Sequence, residues 1–134
     1  MGIDYLNWFA VFVAAVSSFI LGGIWYSPWL FQRAWMEECG LTELDLKQSD
    51  VKKTFGGSFL LTLLASVMLG IVLGPEPQLG KSVLTGLIIG VCWVASSFGV
   101  SYLFEQRSRK LFLINGGYHV FQFITMGLVI GLIG

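Results

Sequence analysis

Residues 6–35 read LNWFAVFVAAVSSFILGGIWYSPWLFQRAW, and this stretch decides the fold class. It carries no charged side chain before Arg33, and its first part, 6–26, is a continuous apolar run. A membrane-spanning helix needs about 20 mostly apolar residues, so the run is long enough to cross a bilayer. Three of the five tryptophans follow at positions 25, 29 and 35. The stretch therefore predicts a spanning helix that ends among aromatic side chains.

The composition supports a membrane protein. The chain has 134 residues, of which 55% are hydrophobic and 12% are charged, and its mean hydropathy is +0.77. A soluble domain carries about 25% charged residues, so this chain lacks the polar surface of a soluble fold. The net charge of zero gives no basis for binding nucleic acid. Cys39 and Cys92 lie far apart and form no C-x-x-C motif, which argues against a disulfide framework.

Four apolar runs are long enough to span a membrane, at about 6–26, 55–73, 83–104 and 111–133. We predict an all-α integral membrane protein whose residues 1–134 form one domain. Its core would be a bundle of four transmembrane helices, with a short interfacial helix after the first span.

The loops indicate an orientation. Segment 27–54, between the first and second spans, and segment 105–110, between the third and fourth, lie on the same side of the membrane. Together they hold seven Lys or Arg residues, whereas the opposite side holds only Lys81. Cytoplasmic loops carry the excess of Lys and Arg. We therefore expect segment 27–54 to be a cytoplasmic helical loop and both termini to lie outside.

An aromatic motif follows the first span. Its residues are Trp25, Tyr26, Ser27, Pro28, Trp29 and Trp35. Ser suits an N-cap and Pro suits the first helical position, so we expect a helix from about 28 to 38, ended by Gly40. This helix would lie in the membrane interface. The rings either anchor it at the headgroups as an aromatic belt or bind a ligand, and we favour anchoring.

Short polar residues predict two more helix starts. Thr42 and Asp45 have the spacing of a capping box, which predicts a helical turn over about 42–47. Ser49 or Asp50 is expected to cap the second span.

Small residues recur at every fourth position in each span and predict close helix contacts of the small-xxx-small kind. The sets are Ala10, Ala14, Ser18 and Gly22; Ser58, Thr62, Ser66, Gly70 and Gly74; Ser82, Gly86 and Gly90; Gly127 and Gly131. These faces could serve one bundle or a homo-oligomer in the lipid bilayer, and the pattern does not distinguish the two.

The fourth span carries the strongest polar set, namely Asn115, Tyr118, His119 and Gln122. Polar side chains at this depth point into the protein, because lipid offers no partner. One interpretation is a proton-sensitive binding site or relay at His119. The other, which we favour, is a hydrogen-bond clamp between His119 and Ser96, Ser97 or Ser101 of the third span. No second strong metal ligand lies at this depth, and we expect neither a metal nor a cofactor.

Two motifs resemble a known family. W-Y-S-P-x-L-F at 25–31, with Trp35 and Gly40, and N-x-G-Y-H at 115–119 are similar to a bacterial membrane family, domain-of-unknown-function family 1761. The resemblance covers nearly the whole chain. It implies a four-span protein of the bacterial inner membrane, and it supplies no substrate and no catalytic residue.

Two functions of different classes fit these features. The first is a structural or accessory membrane protein that works through helix packing or partner binding. The alternative is a small oligomeric channel or transporter with a polar site around His119. An enzyme is not expected, because one histidine without an embedded acid or a nucleophile makes a poor active site.

Overall fold

The computed structural model describes residues 3–134, and all regular secondary structure in that range is helical. The elements are α1 (Trp8–Trp25), α2 (Gln32–Cys39), α3 (Glu43–Lys47), α4 (Val51–Leu73), α5 (Leu79–Ile88), a π-helical segment (Ile89–Ala95), α6 (Ser96–Glu105) and α7 (Arg109–Ile133). The π-helical segment joins α5 and α6 into one continuous helix. Four helices are thus long and apolar enough to cross a membrane. The predicted all-α membrane fold, with four spans and a short helix after the first, is confirmed.

Polar caps determine where three of the long helices begin. Asn7, Asp50 and Ser108 each accept a hydrogen bond from the backbone N–H three residues later, at 3.0–3.1 Å. Such caps satisfy N–H groups that have no partner inside the helix. The second long helix consequently starts at Val51, before the apolar run itself starts. Of the two predicted caps, Ser49 and Asp50, the structure shows Asp50.

The short helix α3 begins with the predicted capping box. The hydroxyl of Thr42 accepts from the backbone N–H of Asp45 at 3.1 Å, and the carboxylate of Asp45 accepts from the N–H of Thr42 at 2.9 Å. Hydrogen bonds from the backbone and then the hydroxyl of Thr42 hold the pKa of Asp45 below its ordinary value. The ionised carboxylate is therefore the form that completes the box.

The expected helix over 28–38 is partly wrong. The observed helix, α2, starts only at Gln32, although it does end at Gly40, whose φ of 70° is the left-handed conformation favoured at this position. Ser27 is not an N-cap, because its hydroxyl donates back to the carbonyl of Ile24 at 2.7 Å. The Ser27 carbonyl instead accepts from the N–H of Leu30, so residues 27–31 form turns that close α1.

The closest helix contact joins α5 and α7. A Cβ added at Gly86 would meet the backbone carbonyl of Phe123, and one added at Gly127 would meet the carbonyl of Ser82. The contact continues into the π-helical segment, where a Cβ at Gly90 would lie 2.9 Å from the Cα of Val120. The two backbones touch along this face, as small residues permit in membranes, so α7 holds α5 without intervening side chains.

The other long helices pack around α7 through small and aliphatic side chains. Ala14 of α1, Leu69 of α4, and Met126 and Ile130 of α7 form a buried cluster, and none of them is more than 3% exposed. The hydroxyl of buried Ser66 in α4 donates to the carbonyl of Val11 in α1 at 2.8 Å. We call the half of the bundle that holds this cluster the terminal half, and the half next to α2 the loop half.

Gly127 gives a direct test of the close contact. Replacing Gly127 with Ala should lower the free energy of unfolding by about 1–3 kcal/mol, because the methyl group must push α7 away from the Ser82 carbonyl. Reversible unfolding in bicelles or mixed micelles measures the change.

The matched control is Gly57→Ala in α4. A Cβ at Gly57 meets nothing within 4 Å, so this variant should be neutral or slightly stabilising. Equal losses of stability in the two variants would contradict the proposed contact.

Candidate functional site

The last residue of α1 is joined to α7 by its indole ring. Trp25 donates its Nε1–H to the carbonyl oxygen of Ile114 at 2.9 Å. Gly117 makes room for the ring, since a Cβ there would lie 3.2 Å from the indole. The rings of Phe31 and Phe121 flank Trp25, with centroids 4.9 and 5.6 Å away. The polar edge of Trp25 is therefore used inside the protein.

Asn115 connects three parts of the chain. Its Oδ1 accepts from the hydroxyl of Tyr26, at the end of α1, at 2.6 Å. Its Nδ2 donates to the hydroxyl of Tyr102, in α6, at 2.7 Å. One carboxamide in α7 thus bridges two tyrosine hydroxyls through both of its polar atoms.

Tyr118 makes a further contact between α7 and α1. Its hydroxyl donates to the backbone carbonyl of Ser18 at 3.1 Å. Gly22 leaves the space for this hydroxyl, because a Cβ at Gly22 would lie 3.0 Å from it. The Tyr26 ring also packs edge-on to Tyr118, with centroids 5.5 Å apart.

His119 is half-buried and lies among aromatic rings. Its Nδ1 lies 2.7 Å from the Oε1 of Gln122, one turn further along α7. Phe98 of α6 stacks on the imidazole, with centroids 5.0 Å apart and planes 17° apart, and Tyr118 meets it edge-on at 4.9 Å. We call Trp25, Tyr26, Tyr102, Asn115, Tyr118, His119 and Gln122 the polar cluster.

The predicted clamp between His119 and the third-span serines is wrong. Ser96 and Ser97 donate their hydroxyls to the carbonyls of Cys92 and Trp93, in their own helix, at 2.6 Å each, and Ser101 is exposed. A regular helix would continue the contact face from Gly90 to residues 97 and 101.

The π-helical segment explains the difference. Its turns hold about one residue more than those of an α-helix. The residues of α6 that face α7 are therefore shifted along the chain relative to a regular helix. Ala95 is buried, and Phe98, Gly99 and Tyr102 contact α7. The serines therefore face away from α7.

The predicted site residues fall into two groups. The structure brings Trp25, Tyr26, Asn115, Tyr118, His119 and Gln122 together in the polar cluster. Trp35, in α2, lies at its edge with its ring 5.8 Å from that of Tyr26. Ser27 and Pro28 form the turn beside it, and Trp29 is 90% exposed.

One ion pair lies beside the polar cluster, next to Tyr102. Arg107 pairs with Glu105 at 2.8 Å, and its guanidinium carbon lies 5.8 Å from the centroid of the Tyr102 ring. The hydrogen bond that Arg107 donates to Glu105 raises the pKa of Arg107. Burial raises the pKa of the Cys39 thiol in α2. Within residues 3–134, no three His, Cys, Asp or Glu side chains are grouped as metal ligands.

Sequence reasoning missed Tyr102 and Phe98. A signal was available for Tyr102, one of only four tyrosines, which lies near the end of an apolar run where its hydroxyl needs a partner. Phe98 gave none, because the chain has 11 phenylalanines and nothing separates a stacking ring from a lipid-facing one.

One protein family matches the chain. The model of the family described as "Protein of unknown function (DUF1761)" matches residues 9–131, a range that includes the whole polar cluster. No curated protein and no solved structure matches the chain.

Trp25, at the end of α1, and Trp29, in the turn that follows, provide a test of the site. Trp25→Phe should lower the free energy of unfolding by about 1–2 kcal/mol, because it removes the bond to Ile114 and part of the contact with Gly117. Trp29→Phe should leave stability unchanged, since Trp29 is 90% exposed. Unfolding in bicelles compares the two, and equal effects would mean that Trp25 acts only as a membrane anchor.

Proposed function

The chain belongs to the DUF1761 family, and we propose that it is a structural or accessory membrane protein. In this proposal the bundle works through its helix packing and binds a partner through α2 and α3. Its place is the bacterial inner membrane, with both termini outside and α2 and α3 on the cytoplasmic face. The excess of Lys and Arg in the loops supports that orientation.

The proposal rests on one observation: the side chains of the polar cluster are hydrogen-bonded within the protein. Trp25, Tyr26 and Tyr118 each direct a hydrogen-bond donor at another helix, and both ends of the Asn115 carboxamide bind tyrosine hydroxyls. A transport path or an active site needs such groups free to meet a ligand. Groups that bind one another instead fix the register of the helices.

The short helices offer a surface for a partner. Neither α2 nor α3 has a buried residue, although Trp35 and Phe31 fix α2 to the end of the bundle through Tyr26 and Trp25. The side chains of Arg33, Glu37 and Glu43 are exposed. Two apolar side chains are exposed beside them, Trp29 at 90% and Leu44 at 62%. This surface, residues 29–47, combines charges of both signs with exposed apolar groups.

The alternative proposal is a small oligomeric channel or transporter with its polar site at His119. One observation favours it: Nδ1 of His119 bonds to Gln122, whereas no hydrogen bond to its Nε2 is found within residues 3–134. A histidine nitrogen that has no protein partner can exchange a proton with a ligand or water. In this alternative, several copies of the chain surround a path at His119. Several are needed because, within one chain, the imidazole is flanked by the aromatic rings of Phe98 and Tyr118.

A photo-crosslinking side chain tests the partner surface in living cells. Placed at Glu37, which is exposed on α2, it should give one discrete protein adduct on illumination. Placed at Leu61 of α4, which is 69% exposed among apolar neighbours, it should give none, because that side faces lipid.

The variant Trp35→Ala sharpens this test. It removes the ring that fixes α2 against Tyr26, so the adduct from position 37 should weaken while the chain stays in the membrane. Absence of an adduct at 37, at Arg33 and at Glu43 would contradict partner binding through this surface. A proton flux in proteoliposomes that His119→Gln abolishes would favour the transporter instead.

A further inference from the structure

The two halves of the third spanning helix pack very differently. α5 lies backbone to backbone against α7 at Ser82 and Gly86, both of which are buried. α6 has no buried residue at all. The helix is therefore tightly held in the terminal half of the bundle and lightly held in the loop half.

The π-helical segment Ile89–Ala95 separates these halves. A π-helical turn inside an α-helix disturbs the regular hydrogen-bond ladder and is a known site of bends and of functional hinges. The hydroxyls of Ser96 and Ser97 donate to the carbonyls of Cys92 and Trp93, which lie in that segment. Bonds from a serine hydroxyl to the carbonyl four residues earlier often bend helices.

Two side chains of α6 carry most of its contact with α7. Phe98 lies flat on the imidazole of His119, with centroids 5.0 Å apart. Tyr102 accepts a bond from Asn115 at 2.7 Å, and this is the one side-chain hydrogen bond between α6 and α7 among residues 3–134. Asn115, which holds α6 through Tyr102, also bonds to Tyr26 and is thereby joined to the end of α1.

We propose that α6 is a hinged cover for His119, which pivots at the π-helical segment and is held closed by the Tyr102–Asn115 hydrogen bond. In the closed state Phe98 shields the imidazole. In the open state the Phe98 ring moves off, and the ring of His119 becomes accessible. α5 and its contact with α7 stay in place throughout. This inference goes beyond the proposed function and does not depend on it.

The chain has a single histidine, so its chemical modification reports on the cover directly. Diethyl pyrocarbonate acylates accessible imidazoles and gives a characteristic absorbance change. In nanodiscs, Tyr102→Phe should raise the modification rate about threefold. Loss of an interhelical hydrogen bond of average strength increases the population of the open state by about that factor. Tyr26→Phe is the matched control, because it removes a hydroxyl bonded to the same Asn115 and leaves the Tyr102 bond in place. Its rate should stay clearly below that of Tyr102→Phe, because α6 keeps its own bond to Asn115.

Deletion of Cys92 tests the hinge. Cys92 is exposed, and removing one residue from the π-helical segment would restore a regular helix while keeping Gly90 and Tyr102 on the α7 face. The modification rate should then fall below that of the unaltered protein. The hinged cover is refuted if Tyr102→Phe does not accelerate modification, if Tyr26→Phe accelerates it equally, or if the deletion leaves the rate unchanged.

Spin-label distances give a second readout. Labels at Leu103 and Leu113, 81% and 62% exposed, report on α6 against α7, and labels at Leu84 and Leu128, 54% and 41% exposed, report on α5 against α7. The first pair should give the broader distance distribution, and Tyr102→Phe should broaden only that pair. Equally narrow distributions, or equal broadening of both pairs, would overturn the proposal.

Discussion

The carboxamide of Asn115 is the interaction on which the loop half of this bundle depends. An asparagine in a membrane-spanning helix must find partners inside the protein, because lipid provides none. Here the carboxamide accepts from Tyr26 and donates to Tyr102, so α7 is joined to the end of α1 and to α6 by one side chain. The bonds of Trp25 and Tyr118 to backbone carbonyls then fix α1 at the matching height.

The terminal half is held by a different force. There α5 and α7 approach until their backbones touch at Gly86 and Gly127, and apolar side chains such as Leu69 and Met126 fill the centre. Dispersion contacts of this kind need close approach along a whole face, so a large part of that face must separate before they are lost. The loop half is held by a few directional bonds that can break one at a time. This contrast accounts for a helix that is closely packed at α5 and lightly held at α6, with the π-helical segment between them.

Much of this arrangement follows from the sequence. Apolar length predicts the four spans, the Thr42–Asp45 spacing predicts a capping box, and polar spacing identifies Asn115 and His119 as one face. The partners could not be predicted, because they depend on how each helix is rotated about its axis. The π-helical segment is the clearest case, since a shift of one residue turns Ser97 outward and Tyr102 inward, and no sequence pattern marks it. Ser27 also shows that partners cannot be predicted from the sequence. Its hydroxyl could have accepted from a later backbone N–H as an N-cap, but it donates to the earlier carbonyl of Ile24.

A double-mutant cycle between Tyr26 and Asn115 tests the central claim most directly. The unfolding free energies of Tyr26→Phe, Asn115→Leu and the double variant are compared with that of the unaltered protein in bicelles. If the carboxamide joins α7 to α1, the double variant should lose less stability than the sum of the single losses, by about 0.5–1.5 kcal/mol. Additive losses would show that the two side chains act independently and would contradict the account.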